Sequence, residues 1–172
     1  MSKAAEEERF FRIVADYTYD WESWHSPDGR LIWVNPAVER MTGHSVHDCL
    51  AMHDYPFSIV AEEDRGSVED ALASAKNRTC GESVDFRIRH RSGGTRWMSL
   101  SWQPMYDSDG THLGFRTSVR DVTERRKLRE QLRLYTEHLE QLVQERTARR
   151  RQLENEQRQM ENWPQWDSLR QA

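Results

Sequence analysis

Residues 82–119 read ESVDFRIRHRSGGTRWMSLSWQPMYDSDGTHLGFRTSV, and this stretch decides the fold. From Glu82 to His90, the apolar Val84, Phe86 and Ile88 alternate with charged residues, the two-residue period of a half-buried strand. Ser92-Gly93-Gly94 then supplies turn chemistry, Thr95–Met105 reads as a second strand, and Asp107-Ser108-Asp109-Gly110 turns the chain again into a third, Thr111–Val119. Three strands joined by short turns make an antiparallel meander.

Upstream, Thr18-Tyr19-Asp20-Trp21-Glu22-Ser23-Trp24 alternates aromatic and acidic residues, and Arg30–Asn35 (RLIWVN) is β-branched and aromatic. With Pro27-Asp28-Gly29 between them they predict a hairpin. Pro36 suits the first turn of a helix with Asn35 as its N-cap and Gly43 past its end, and Ser45 caps a second short helix through Leu50. Residues 52–65 are irregular around Pro56. A longer helix then starts at Asp64 or Ser67 and closes near Gly81. At the N-terminus, residues 4–16 put Phe10, Phe11, Ile13 and Val14 on one side of an amphipathic helix. Two strands, short helices and a three-stranded meander require one antiparallel sheet with helices on a single face, an α+β arrangement.

The chain has 172 residues, 36% apolar and 31% charged. That charge density exceeds the usual quarter and predicts a modest core with a long solvated segment. Residues 1–120 carry 14 Lys/Arg against 19 Asp/Glu, and residues 121–172 carry 11 against 10, so neither part is a polyanion binder. No run reaches the ~18 apolar residues of a membrane helix, no secretory signal opens the chain, and Cys49 and Cys80 form no disulfide framework. A cytoplasmic location is expected.

Several fragments in this order resemble the landmarks of PAS domains: PDGRLIWVNPAVERMTGHS (27–45), the Asp64-Arg65 pair opening the long helix, RHRSGGTRWMSLSWQP (89–104) and DSDGTHLGF (107–115). Asp121-Val122-Thr123-Glu124-Arg125-Arg126 resembles the ending at which PAS domains pass into a signalling helix. The resemblance spans about residues 15–126. It implies a five-stranded antiparallel sheet whose concave face and helices enclose a ligand or partner site, as in bacterial two-component sensors.

From Leu128 the apolar positions Leu128, Leu132, Tyr135, Leu139 and Leu142 are spaced 4, 3, 4, 3, a heptad seam of about two repeats. In the same register the seam continues as Arg146, Arg149, Leu153, Glu156 and Met160, and so weakens after Leu142. A helix this polar is marginal alone and gains stability by pairing, most simply as a parallel homodimer. The alternative is a helix folded back on its own domain. LEQLVQERTARRRQLE (139–154) resembles the linker helices of two-component sensor kinases, but the kinase's phospho-acceptor histidine box and ATP-binding segment are missing. Trp163, Pro164 and Trp166 end the helix and leave residues 161–172 as a tail.

The expected domains are thus a helix over 1–16, a PAS domain over 17–120, a signalling helix over 121–160 and the tail. The candidate pocket comprises Trp21, Trp33, His44, Phe57, Phe86, Trp97, Trp102 and Phe115, with a filled aromatic core as the alternative. Trp97 and Trp102 are five apart, so an unbulged strand turns one inward and the other outward. Phe10, Phe11 and Ile13, with one strand tryptophan, form a dimer patch or else cover the chain's own sheet.

No catalytic or metal residues are assigned. Asp20 and Glu22 have no nucleophile, metal cluster or phosphate loop near them, and they are expected to face solvent or to pair with arginines such as Arg87 or Arg89. The flavin-adduct motif of light-sensing PAS relatives is Asn-Cys-Arg-Phe-Leu-Gln, whereas this chain has Asp48-Cys49-Leu50-Ala51 one element earlier. Haem-binding relatives carry their histidine on the long helix; here 65–79 has none, although His44, His47 and His53 cluster before it. Both cofactors are therefore set behind an unidentified small-molecule cue. Asp121 is placed to cap the tail helix while Thr123 bonds back to the domain, a junction able to transmit strain. Together these features predict a homodimeric sensory module that binds a small cue and regulates an effector or kinase output domain. The rivals are an interaction module without ligand and a haem or flavin redox sensor.

Overall fold

The computed structural model describes residues 3–161. Their elements are α1 (Lys3–Asp16), β1 (Trp21–His25), β2 (Leu31–Val34), α2 (Ala37–Thr42), α3 (Val46–Ala51), a 3-10 turn (Glu62–Asp64), α4 (Arg65–Lys76), β3 (Gly81–Arg89), β4 (Thr95–Tyr106), β5 (His112–Asp121) and α5 (Thr123–Glu161). The five strands form one antiparallel sheet in the order β2-β1-β5-β4-β3, so the α+β expectation holds. Residues up to Arg126 form one compact unit, and α5 from Lys127 belongs to another. The expected terminal segment with Trp163, Pro164 and Trp166 lies outside the described residues.

The sheet has two unlike faces, and the strand period assigns each residue to one of them. On β1, Trp21, Ser23 and His25 lie opposite Val119, Thr117 and Phe115 of β5, and all six are buried. Leu100 and Met98 of β4 with Phe86 of β3 extend this inner face. The short helices close over it. Val68, Ala71 and Ala75, at helical spacing, are the buried residues of α4, while α2 contributes Val38 and Met41 and α3 contributes Cys49.

Local chemistry explains most boundaries. The Ser45 hydroxyl accepts from the Asp48 amide and the Asp48 carboxylate accepts from the Ser45 amide, a reciprocal capping box that starts α3. Gly43 closes α2 in the left-handed region. Asn35, by contrast, is not the side-chain N-cap of α2. Its carboxamide is fully buried and turned the other way, accepting from the Glu22 amide at 3.0 Å and donating to the Asp20 carbonyl at 2.9 Å. Tying down the entry to β1 satisfies the Glu22 amide and the Asp20 carbonyl at once, whereas capping α2 would satisfy a single amide.

Asp64 likewise does not cap α4 with its side chain. It binds Arg87 on β3 instead. That helix ends at Lys76, short of Gly81, and the chain turns through Arg78 at φ 62. At Gly81 the Trp102 ring lies where a side chain would be: an added Cβ would stand 2.1 Å from the indole.

Candidate functional site

The inner face carries four of the expected pocket residues, Trp21, Phe86, Trp102 and Phe115, and Phe57 packs half-buried against the same core. The space they leave is small. The cavity bounded by Trp21, His25, Tyr55, Phe86 and Leu100 has a volume of about 20 Å³. That is room for one water, far below the ~300–1,000 Å³ of a small-molecule pocket.

Four polar side chains, Ser23, His25, Tyr55 and Thr117, border this otherwise apolar cavity. The Trp21 indole donates to the Tyr55 hydroxyl at 2.9 Å, and the Ser23 and Thr117 hydroxyls share a bond of 2.6 Å. His25 stacks flat on Phe115, ring centres 4.8 Å apart, with its Nδ1 3.3 Å from the Gly29 carbonyl. Burial pushes the His25 pKa down to about 4, the bond to Gly29 opposing and the Lys76 charge adding to the fall. Burial also pushes the Tyr55 hydroxyl up. Both groups are therefore neutral near pH 7.

Trp33, Trp97 and His44 do not join this cluster. Trp33 lies directly opposite Trp24, whose own partner across β5 is Arg116, which places all three on the outer face. Trp97 is outward too, opposite Arg87, so the odd spacing from Trp102 separates the pair as expected. His44 sits in the turn after α2, where its amide donates to the Thr42 hydroxyl. Cys49 is buried, which pushes its thiol up to about 11, and Cys80 is exposed. Among the described residues no group of three or more His, Cys, Asp or Glu could hold a metal ion.

The outer face is polar at its centre and open at its sides. Glu22, 8% exposed, accepts from Arg116 Nε at 2.9 Å and from the Ser118 hydroxyl at 2.7 Å, and Asp20 accepts from Arg120 at 2.7 Å. These partners replace the expected Arg87 and Arg89. The reason is topological: β1 lies beside β5, while β3 occupies the far edge. Two grooves flank the pair. One of about 400 Å³ is lined by Trp24, Trp33, Met105 and the end of α1, and one of about 460 Å³ by Gly81, Ser101, Gln103 and Arg116.

On α1, Phe10 and Phe11 are 69% and 73% exposed, and Ile13 is exposed as well. They therefore do not cover the chain's own sheet.

At the end of β5, the Asp121 carboxylate accepts from the Thr123 amide at 2.9 Å, and the Thr123 hydroxyl accepts from the Trp97 amide at 2.9 Å. The Val122 amide donates to the Trp97 carbonyl. Beyond Lys127, α5 buries no residue. Leu128, Leu132, Tyr135 and Leu139 are 60–69% exposed and Leu142 41%. Arg133 pairs along the helix with Glu130 at 2.7 Å and with Glu137.

Sequence reasoning missed His25 and Tyr55. The signal for His25 was present, since it shares strand parity with Trp21. Tyr55 sits in the irregular segment, where no period applies.

The family model described as PAS fold matches residues 31–119. A "Probable diguanylate cyclase DgcE" of Escherichia coli (strain K12) is 27% identical over 109 residues, 63% of this chain and 10% of that protein. An "Uncharacterized protein y4lL" of Sinorhizobium fredii is 35% identical over 69 residues, 40% of this chain and 8% of that protein. The chain thus spans about a tenth or less of these relatives' own length. Among solved structures, an RNA-binding light-oxygen-voltage receptor aligns at TM-score 0.60 and 22% identity, covering 80% of this chain and 39% of its own. A sensory box histidine kinase/response regulator from Burkholderia thailandensis E264 aligns at TM-score 0.54 and 24% identity, covering 76% and 98%. A PAS domain from Colwellia psychrerythraea aligns at 0.56 and 18%, covering 69% and 98%. With sheet order, helices and family model in agreement, this chain belongs to the PAS-fold family.

Proposed function

We propose that this chain is the regulatory PAS module of a bacterial signalling protein, a cytoplasmic homodimer that relays changes in its folded unit through α5 to an output domain such as a kinase or cyclase, without catalysis of its own. One observation carries the reading: the apolar stripe Leu128, Leu132, Tyr135, Leu139 and Leu142 stands exposed along a 39-residue helix with no buried residue. Such a helix gains its stability from a partner, and a heptad seam is satisfied by a second copy. The exposed Phe10, Phe11 and Ile13 and the groove at Trp24 and Trp33 offer a further contact between copies. In sedimentation, the chain is expected as a dimer, and Leu132→Lys with Leu139→Lys as a monomer with unchanged melting of the sheet unit. A wild-type monomer at working concentration overturns the proposal.

The closed interior favours an interaction module over capture of a small cue. A second reading rests on the polar groups of Ser23, His25, Tyr55 and Thr117, which would give a small ligand hydrogen-bond partners if the ring of Tyr55 withdrew. Native mass spectrometry before and after denaturation separates the two: no co-purified molecule is expected, and a stoichiometric bound mass establishes the second reading.

A further inference from the structure

Trp97 is the point on the outer face where three elements meet. Its backbone holds the start of α5, exchanging bonds with Thr123 and accepting one from Val122. Its indole does more. The Arg126 guanidinium, from the first turns of α5, lies 3.8 Å from the ring centre, and that of Arg87, the residue opposite on β3, lies 5.4 Å away. Both cations are oriented by carboxylates: Arg126 donates to Asp85 at 2.6 Å, two residues from Arg87 on the same strand face.

Arg87 is gripped more firmly. Its Nε and terminal nitrogen donate to the two oxygens of Asp64 at 2.8 and 2.9 Å, and its backbone amide donates to the same carboxylate at 2.7 Å. The Arg87 guanidinium holds the Asp64 carboxyl below the usual range. Asp64 is the residue before α4, and the Val68 and Leu72 side chains of that helix bound the core cavity. A planar guanidinium fixed at both ends of a carboxylate cannot follow one partner without turning relative to the other.

We propose that Trp97 is a latch: its indole, shared by Arg87 and Arg126, couples the position of α4 to the hold on the first turn of α5. A displacement of α4 drags Asp64, rotates Arg87 against the indole, and alters the stacking that keeps Arg126 in place. The latch gives the relay of the preceding section its route, but it is a property of residues 64–126 and does not require the dimer.

The test is amide exchange at Arg126, whose N–H makes the first intrahelical bond of α5, to the Val122 carbonyl. Asp64 and Arg126 make no direct hydrogen bond or ion pair with each other, and Arg87 and Trp97 stand between them, so without a latch a substitution at 64 leaves exchange at Arg126 unchanged. In the full chain, Asp64→Asn is expected to speed exchange at Arg126 by about two- to fivefold, the worth of an exposed cation–π contact, while exchange at Ser23 is unchanged. Arg87→Lys, which keeps the charge and the fold, is expected to do the same. In a Trp97→Leu background both effects vanish, and Trp97→Phe retains part of them. Unchanged exchange at Arg126 in both Asp64→Asn and Arg87→Lys, or an equal effect in Trp97→Leu, overturns the latch. Sedimentation of the same samples keeps the two ideas apart: coupling in a monomer upholds the latch and defeats the dimeric relay, and a dimer without coupling does the reverse.

Discussion

The two faces of one sheet treat the same residue types differently. Trp21 and Trp24 are three residues apart on β1, yet the first is 2% exposed and bonded to Tyr55, while the second lines an open groove and donates to the Leu113 carbonyl. Glu22, between them, is nearly buried on the face that is otherwise open. The inner face is apolar packing with a few polar groups, of which the Trp21 indole and the Ser23 and Thr117 hydroxyls are hydrogen-bonded and the Trp102 indole nitrogen is not. The outer face is a charged centre between unfilled grooves. Stability therefore resides on one side of the sheet and the surfaces available to partners on the other.

The largest expected effect tests the inner side. Phe86→Ala removes a fully packed ring and is expected to destabilise by about 3–5 kcal/mol in urea denaturation. Trp33→Ala, on the outer side, is expected to cost about 1 kcal/mol. Equal losses would erase the distinction between the faces.

The next effect is read through pH. Unfolded His25 takes up its proton near 6.5 and folded His25 at about 4. Between those values the unfolded state binds more protons, so the stability is fully present above 6.5 and is lost as the pH falls toward 4. The expected loss is up to about 3 kcal/mol. His25→Phe should flatten that part of the curve, and an unchanged slope would locate the acid sensitivity elsewhere.

Glu22→Gln sharpens the outer side. It leaves Arg116 and the Ser118 hydroxyl with a weaker acceptor at a nearly buried position, for an expected loss of about 1–2 kcal/mol. Gln103→Ala, beside it on an open groove wall, should fall within about 0.5 kcal/mol. Thermal melts of the two variants check the difference.

Much of this architecture was legible in the residues, because local rules settle it. The turns at Gly93-Gly94 and Asp107–Gly110 fix the meander, Ser45 caps α3, and parity separates Trp97 from Trp102 because the register shift between β4 and β5 falls later, after Met105. The misassignments are all non-local. Which strand borders β1 decides that Glu22 meets Arg116 rather than Arg87, and no local period encodes that order. Trp33 faces outward because the β1–β2 register shifts between Trp24 and His25: the pairing of His25 with Leu31, continued, would set Trp33 opposite Ser23 on the inner face, and the shift sets it opposite Trp24. Asn35 had two uses for its side chain, and only the folded chain, by burying it, selects the one that satisfies more groups.

The ring of Trp102 resting on Gly81 has a consequence for how this scaffold tolerates change. The two positions form a single volume divided unequally, so neither varies alone: a methyl group at 81 evicts the indole, and a smaller residue at 102 leaves a hollow that 81 is then free to fill. Gly81→Ala with Trp102→Leu should therefore be milder together than Gly81→Ala by itself, and homologous chains that carry a side chain at the first position should carry a shorter one at the second.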